Sequence, residues 1–359
     1  MYASQAMASE TAAVAAVSAQ PRPASDAERN PTIRAARRFQ WESAVSSTWF
    51  AADTAVFITE DGVIVRVPMG GGDEQVAHHD DLFVAAHGDG RLVAIAGSDG
   101  RIIALNAYGE SRELGRLDKN RWVSALAVGA FGVASAVGRN VAVHGFDGCS
   151  CSLTTRSPVG AAAFSPDGST LALSTRDELV VWHPETDDCR ILPTPAGHAI
   201  ALDYSPDGRF IAECLYEPGV GVRSVEGEAD ASLLLKGPAA QVRSVSWSPQ
   251  GDILLTSGAR QLMVWPIVRL NNGLSSLPRF LAPYSELVTA VAYHPSDPIA
   301  AVGYADGLVL LVRLTDGAEI VLKRGCAGAI SGITWSRRGD GLAIGAKDGQ
   351  ARLFAIDLC

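Results

Sequence analysis

Long apolar runs are missing from this sequence of 359 residues. None approaches the ~20 residues that a helix needs to cross a bilayer, so we expect no membrane-spanning segment. Cysteine is also scarce, with six residues in the chain. Because 47 % of the residues are hydrophobic, the chain can bury a large core without a disulfide framework, and a reducing cytoplasm fits it best. No basic segment precedes the weak apolar stretch at residues 12–17, so a secretory signal is not expected either.

Basic side chains are fewer than acidic ones, 30 against 39, which leaves a net charge of −9. An acidic balance keeps a protein soluble and opposes a broad phosphate-binding face. We therefore expect neither nucleic acid nor a membrane surface as a partner.

Motifs for catalysis and phosphate binding are missing as well. The nucleophile elbow Gly-x-Ser-x-Gly does not occur, and the run Gly70, Gly71 and Gly72 is followed by neither a helix pattern nor a lysine. The repeated Ser-Pro-Asp-Gly tetrapeptides keep the phase of turns, which indicates a structural role. The sequence therefore predicts no catalytic residues and no cofactor.

Two segments carry metal-ligating residue types. His78, His79, Asp80 and Asp81 follow one another in the first, and the second holds the pair Cys149 and Cys151. Neighbouring residues on a strand point to opposite faces, and Cys-x-Cys without a second thiol pair is weak evidence for zinc. We interpret the first segment as a solvated loop and the second as ordinary thiols, so no metal site is predicted.

What the sequence does contain is a repeat. A short segment of turn-forming residues recurs directly after an aromatic residue. The aromatic residues are Phe164, Tyr204, Trp247, Tyr293 and Trp335, at steps of 40 to 46 residues. Alternating apolar residues precede each turn and a second apolar run follows it, which is typical of a β-hairpin. The tryptophans of these first strands are predicted to pack between neighbouring units: Trp49, Trp122, Trp247 and Trp335.

A third strand follows each hairpin, often after Asp-Gly, and ends near residues 67, 105, 144, 182, 223, 265, 312 and 354. Eight units of this length predict an all-β β-propeller of eight four-stranded blades over residues 33–359. Residues 33–39 are expected to supply the outer strand of the last blade and so close the ring. Residues 1–32 are predicted to be a flexible tail rich in Ala, Ser and Pro. Seven blades are the alternative, because the first unit has a shortened turn at residues 51–53.

These motifs resemble the WD-repeat family of propellers. The resemblance rests on the turns at residues 164–168 and 204–208, on Gly197 and His198, and on the third-strand residues Trp182 and Trp265. The Trp-Asp dipeptide itself does not occur, and no unit holds the whole buried network of His, Asp, Ser or Thr, and Trp that the family forms in each blade. The resemblance therefore implies the architecture but a divergent member of the family, held more by apolar packing.

The resemblance also implies a partner-binding surface where the second turns and the connections between blades emerge. Arginine and aromatic residues, which are enriched in interface hot spots, occur there. The expected partner-binding residues are Arg176, Tyr216, Arg260, Tyr304 and Lys347 in second turns, and Arg121, Trp122, Tyr284 and Glu286 between blades. The connection at residues 267–283 is expected to form a distinctive rim between two blades.

The predicted function is a non-enzymatic, cytoplasmic scaffold that binds a protein or peptide on this surface. One alternative is a propeller enzyme of the quinone-dependent dehydrogenase or hydrolase type, because a fold alone does not specify a function. The other is a metal-handling accessory protein that uses His78, His79, Asp80 and Cys151.

Overall fold

The computed structural model describes residues 31–72, 75–78, 83–88, 90–97, 99–117, 122–193, 197–225, 231–270, 273–325 and 328–358. Within these ranges every regular element is a β-strand. Eight four-stranded antiparallel sheets form the blades of a ring, as expected. No helix in these ranges is long and apolar enough to cross a membrane.

The strands follow the chain in blade order. The first strand, β1 (Pro31–Gln40), belongs to blade eight. Blade one contains β2 (Val45–Ala51), β3 (Thr54–Thr59), β4 (Val63–Pro68) and β5 (Gln75–His78). Blade two contains β6 (Phe83–Gly88), β7 (Leu92–Gly97), β8 (Arg101–Asn106) and β9 (Ser111–Arg116). Blade three contains β10 (Ala125–Val128), β11 (Gly132–Val137), β12 (Asn140–Gly145) and β13 (Ser150–Thr154). Blade four contains β14 (Ala161–Phe164), β15 (Leu171–Ser174), β16 (Glu178–His183) and β17 (Asp188–Pro193).

The second half of the ring continues in the same way. Blade five contains β18 (Ala199–Tyr204), β19 (Phe210–Leu215), β20 (Val220–Ser224) and β21 (Ser232–Leu235). Blade six contains β22 (Val245–Trp247), β23 (Ile253–Thr256), β24 (Leu262–Pro266) and, after the hairpin β25 (Val268–Leu270) and β26 (Gly273–Ser275), the strand β27 (Arg279–Leu281). Blade seven contains β28 (Val288–Tyr293), β29 (Ile299–Tyr304), β30 (Val309–Arg313) and β31 (Glu319–Lys323). Blade eight contains β32 (Ile330–Trp335), β33 (Gly341–Ala346), β34 (Gln350–Leu358) and β1.

The repeated Ser-Pro-Asp-Gly segments are turns between the first two strands of a blade. In blade four, the Ser165 hydroxyl donates to Asp167 Oδ1 at 2.6 Å and accepts from the Thr170 amide at 2.9 Å. Gly168 has a φ of 76°, a conformation that side chains rarely adopt. Ser205 and Asp207 repeat the arrangement in blade five. The prediction that these motifs form turns is confirmed, because their serine hydroxyls form hydrogen bonds within the turns.

The N-terminal strand closes the ring. β1 pairs antiparallel with β34, with Pro31 opposite Leu358 and Gln40 opposite Gln350. The expected outer strand at residues 33–39 is therefore confirmed, and it is two residues longer at its start and one at its end. Pro31 and Thr32 belong to this strand rather than to the predicted tail, while residues 1–30 lie outside the described residues. Pairing the two ends of the chain covers an edge that β34 would otherwise expose.

Blade one is complete despite its short first turn, so the seven-bladed alternative is wrong. Ala52, with a φ of 50°, and Asp53 are the two residues that link β2 to β3. The Ala52 amide donates to Gly90 O of blade two at 2.9 Å. The turn is therefore shortened at a point where it contacts the neighbouring blade.

Blade six differs from the expectation. Residues 267–283 do not form a simple connection between blades, because they contain the hairpin β25–β26 and the fourth strand β27, which pairs with β24. Leu274 of the hairpin packs with Leu233 of blade five against the cluster that contains Trp247 and Trp265. The insertion is thus part of blade six and of its packing on blade five.

Apolar clusters fill the spaces between blades, and hydroxyl groups add hydrogen bonds from one first strand to the next. Thr334 Oγ1 of blade eight donates to Thr48 O of blade one at 2.7 Å, and Thr289 Oγ1 of blade seven donates to Ile330 O of blade eight at 2.7 Å. Trp247 and Trp335 are buried between blades, as predicted. The blades are therefore fixed relative to one another, which gives the loops between them fixed positions.

Candidate functional site

The second turns of the blades and the connections between blades emerge on the same side of the ring. Because consecutive strands of each blade run antiparallel, the first and third turns lie on the opposite side. We call the side with the second turns and inter-blade connections the loop face. Most of the predicted partner-binding residues that the structure describes are exposed on it.

A pocket of about 500 Å³ opens on the loop face at the junction of blades four and five. Two predicted residues, Arg176 from the second turn of blade four and Tyr216 from that of blade five, line it. Glu217 and the connection residues Pro158, Gly197 and His198 complete the lining. Tyr216 is 64 % exposed. The structure thus brings together an aromatic ring and an anion from the second turn of blade five with a cation from the second turn of blade four.

Backbone contacts hold the Tyr216 turn in place beneath this pocket. The Tyr216 amide donates to His198 O at 2.9 Å, and Gln241 Nε2 donates to Tyr216 O at 3.0 Å. Both polar groups of the Tyr216 backbone are therefore satisfied by neighbouring segments. The exposed ring stands on a fixed backbone, which lowers the entropy that would be lost on binding.

The imidazole of His198 lies directly against the backbone of Gly160. A Cβ atom at position 160 would overlap His198 Cε1 and also contact Ala199 O. Gly160 is itself anchored, since its amide donates to Ser174 O at 2.9 Å. The absence of a side chain at Gly160 is therefore what allows the wall of the pocket to form.

His198 Nδ1 is buried and has no hydrogen-bond partner among the described residues. The buried network that the resemblance implies includes a His and a turn Asp. The second turn of blade five carries Tyr216, Glu217, Pro218 and Gly219, none of which is an Asp. The departure from the family network, which the sequence predicted, thus leaves a buried nitrogen of His198 without a partner beside the pocket.

Part of the family network survives in blade six. Trp265 Nε1 donates to Thr256 Oγ1 at 3.0 Å between two buried side chains. In blade four, Trp182 Nε1 instead donates to Asp187 Oδ1 at 3.1 Å. The tryptophans therefore keep a hydrogen bond in each case but use different partners.

A second group of predicted residues meets at the junction of blades six and seven. The Tyr284 amide donates to Arg260 O at 2.8 Å, and the Tyr284 hydroxyl donates to Asp306 Oδ2 at 2.9 Å. This hydrogen bond, with the nearby charges of Asp306 and Glu286, raises the pKa of the Tyr284 phenol. Arg260, Tyr284 and Glu286 are exposed.

Tyr304 was expected on the partner-binding surface, and this expectation is wrong. Its side chain is 0 % exposed, and its hydroxyl donates to Ala282 O at 2.6 Å. The Tyr284 ring packs edge-on against it at a centroid distance of 5.0 Å. Tyr304 therefore supports Tyr284 from below and cannot itself touch a partner.

The remaining predicted residues stand apart from both groups. Trp122, at the connection from blade two to blade three, is 72 % exposed. It therefore does not pack between blades, contrary to that prediction, and only its position on the surface agrees with the expected role. Lys347 is exposed in the second turn of blade eight. Arg121 lies outside the described residues.

Sequence reasoning missed His198, Glu217 and Pro158 as neighbours of Arg176 and Tyr216. The dipeptide Gly197 and His198 was used as evidence for the repeat, and its position before a first strand is the signal that places it on the loop face. The opposite face also carries exposed aromatic residues, Tyr108 at 87 % and Phe131 at 65 %. The repeat itself indicates this placement, because Phe131 lies in the first turn of blade three and Tyr108 in the third turn of blade two.

The two candidate metal segments give no assembled site in the part of the chain described. No group of three or more His, Cys, Asp or Glu side chains comes together there. His79, Asp80 and Asp81 lie outside the described residues, as does the side chain of His78. Cys149 is exposed, and Cys151 is half-buried on β13. The Asp147 carboxylate raises the pKa of the Cys149 thiol, and burial raises that of Cys151, which disfavours the thiolate form that binds metals.

Comparison with known proteins agrees with the repeat. Residues 231–266, from β21 to the end of β24, match the family model "WD domain, G-beta repeat". The meiotic recombination protein rec14 of Schizosaccharomyces pombe is 31 % identical over 104 residues, which are 28 % of this chain and 34 % of that protein. An uncharacterized WD repeat-containing protein of the same yeast is 31 % identical over 143 residues, 39 % of this chain and 20 % of that protein. The matched segments thus span about a third and a fifth of these relatives.

A solved structure confirms the fold alone. The computationally designed protein Ika8 superposes with a TM-score of 0.70 at 19 % identity, over 88 % of this chain and 97 % of that one. We conclude that the chain is an eight-bladed β-propeller, one segment of which is similar to a WD repeat, in agreement with its resemblance to the WD-repeat family.

Proposed function

We propose that the protein is a non-enzymatic scaffold of the cytoplasm that binds a protein or peptide partner on its loop face. WD-repeat propellers are generally protein-interaction scaffolds. The observation that carries the proposal for this chain is the pocket between blades four and five, where the exposed Tyr216 and Arg176 meet over a fixed backbone. Neither nucleic acid nor a membrane is expected as the partner, because the chain has a net charge of −9.

The lining of the pocket favours a peptide segment with both apolar and charged groups. Tyr216 offers an aromatic surface, while Arg176 and Glu217 offer charges of opposite sign. Aromatic and arginine side chains at the centre of an interface commonly carry most of the binding free energy. The proposed surface extends to the junction of blades six and seven, where Arg260, Tyr284 and Glu286 are exposed.

Affinity purification with paired variants tests the proposal. Partners that co-purify with the wild-type protein from cytoplasmic extract are first identified by mass spectrometry. The double substitution Arg176→Ala and Tyr216→Ala removes two exposed side chains and should reduce recovery of a direct partner at least tenfold without changing the thermal unfolding midpoint. Tyr108→Ala is the control, because Tyr108 is an even more exposed tyrosine on the opposite face, and it should leave recovery unchanged.

If recovery of the partner is unchanged by the double substitution but lost in Tyr108→Ala, the interface lies on the opposite face. A further variant, Gly160→Ala, tests the shape of the pocket. The added methyl group overlaps His198, so it should displace that ring and weaken binding of the same partner. Unchanged binding in both loop-face variants contradicts the proposed pocket.

A further inference from the structure

A second groove lies at the outer rim of the ring, between blades seven and eight. Its volume is about 580 Å³. One wall is β31 with the residues that follow it, and the other is formed by β34 and β1. The lining residues are Arg38, Val321, Leu322, Lys323, Arg324, Gly325, Gln350 and Arg352. Four of these are basic and none is acidic, in a chain whose net charge is −9.

Two of the arginines face each other across the closing pair of strands. Arg38 of β1 is directly opposite Arg352 of β34. Like charges in directly opposite positions destabilise a sheet. Burial, and then the charge of Arg38, lowers the pKa of the Arg352 guanidinium. The strand pair that closes the ring therefore carries an uncompensated repulsion at this point.

No acidic side chain among the described residues forms an ion pair with Arg38, Arg324 or Arg352. Arg38, Arg324 and Arg352 have no hydrogen bond or ion pair to another described residue. Two carboxylates belong to turns beside the groove: Asp306 lies against Gly325 of its lining, and Asp348 lies against Gly328. Asp306 accepts from the Tyr284 hydroxyl and the Leu308 amide, and Asp348 accepts from the amides of Gly328 and Gln350.

Lys323 forms the floor of the groove. Its side chain is 3 % exposed, and Nζ donates to Gly307 O at 2.9 Å. A buried ammonium group adds positive charge in surroundings where water screens it poorly. Gln350, opposite Gln40 at the same end of the strands, adds an amide that can donate a hydrogen bond.

We propose that this groove binds a phosphoryl group. Guanidinium groups present paired donors that match the oxygens of a phosphate, and several converging arginines fit a doubly charged anion better than a single carboxylate. The volume exceeds that of one phosphate, so the group arrives attached to a larger body. Its source is either a small phosphorylated molecule or a phosphorylated side chain of a protein. The net acidic charge opposes a broad phosphate-binding face, but this groove is local and lies away from the pocket of blades four and five.

Calorimetric titration of the full chain tests the proposal. The probes are inorganic pyrophosphate, a phosphoserine peptide flanked by alanine and glycine, and the same peptide without phosphate. We expect saturable binding of at least one phosphorylated probe, and a rise in the thermal unfolding midpoint when that probe is present. The unphosphorylated peptide should not bind. If none of the phosphorylated probes binds, the proposal is overturned.

Variants locate the binding in the groove. Arg352→Gln and Arg324→Gln should each lower the affinity for the phosphorylated probe by roughly tenfold, as expected for the loss of a charge-assisted hydrogen bond. Arg156→Gln is the control, because that arginine is 77 % exposed in the connection between blades three and four, where it faces Glu178. Binding that is unaffected by the two groove variants, or reduced equally by the control, overturns the proposal.

Arg38→Glu separates binding from folding. It replaces the like-charge pair with an opposite-charge pair, so it should raise the unfolding midpoint of the unliganded protein while abolishing binding of the phosphorylated probe. A poorly folded variant cannot give this pair of results. Tighter binding of the phosphoserine peptide than of pyrophosphate identifies a phosphorylated protein as the source, and the reverse order identifies a small molecule.

Discussion

The indole of Trp265 donates its N–H to the hydroxyl of Thr256 at 3.0 Å, across two adjacent strands of blade six. Both side chains are buried, at 2 % and 0 % exposure. This is the part of the chain that matches the WD-repeat family model. The pair shows how a single hydrogen bond keeps a large aromatic residue in a fixed orientation inside a blade.

Replacement of Thr256 by valine should destabilise the protein. The two side chains have the same shape, so the substitution leaves the Trp265 N–H buried without an acceptor, which costs about 1–3 kcal/mol. Urea denaturation followed by tryptophan fluorescence measures the loss. Thr154→Val is the control, because Thr154 is exposed and should change the stability by less than ~0.5 kcal/mol. Equal effects of the two substitutions would argue against a role for the Trp265 hydrogen bond.

Glu213 and Arg223 form a buried ion pair between β19 and β20 of blade five. Burial raises the pKa of Glu213, although Arg223 opposes the shift. Glu213→Leu should cost about 3–5 kcal/mol, since it leaves the Arg223 charge buried and unpaired. The double substitution Glu213→Leu and Arg223→Met should recover most of that loss. Denaturation curves of the two variants check this, and a double variant as unstable as the single one would contradict it.

Burial raises the pKa of Asp203, on the innermost strand of blade five, to about 7. The folded protein therefore holds a proton that the unfolded chain has lost above its ordinary pKa near 4. Stability should fall as the pH rises from about 4 to 7, by at most ~4 kcal/mol, and then level off. Asp203→Asn should remove this slope and be more stable than the wild type at pH 8. The measurement is the free energy of unfolding between pH 4 and 8, and parallel curves for both proteins would refute the assignment.

Ring closure by β1 can be tested by truncation. Deletion of residues 1–40 removes the partner of β34 and exposes its edge and the apolar surface that Phe39 covers beside Trp41 and Phe57. The thermal midpoint should fall by roughly 5 °C or more, and the protein should tend to aggregate. Deletion of residues 1–30 leaves β1 in place and should keep the wild-type midpoint. A 1–40 deletion that unfolds like the 1–30 deletion would show that closure contributes little.

The repeat and its strands could be predicted because their signals are local. Ser165, Asp167 and Gly168 make their hydrogen bonds with one another and with the next residues, and so their spacing along the chain already describes the turn. The same holds for the closing strand, whose presence follows from the missing outer strand of the last blade. In blade six the fourth strand has three residues and follows an inserted hairpin, so no alternating pattern was long enough to place it.

The surface residues were predicted less well, because exposure depends on packing between blades. Tyr304 ends its strand next to an Asp-Gly turn and looked exposed, yet Ala282 of another segment accepts its hydroxyl and Tyr284 covers its ring. Trp122 looked like a packing residue and is exposed. Neither outcome depends on the residues that adjoin them in sequence.

The repeated hairpins and the closing strand thus follow from the amino-acid sequence, since antiparallel hairpins are formed by neighbouring residues and turn types are specified by the residues in them. The complete first blade and the inserted hairpin of blade six were decided only by the tertiary structure. The pocket and the basic groove do not follow from the sequence either. Gly160 meets His198, and Arg38 meets Arg352, only because the ring places successive blades side by side and pairs the first strand with the last. Side chains so far apart in the chain acquire a common site through the geometry of the closed ring, which no local pattern encodes.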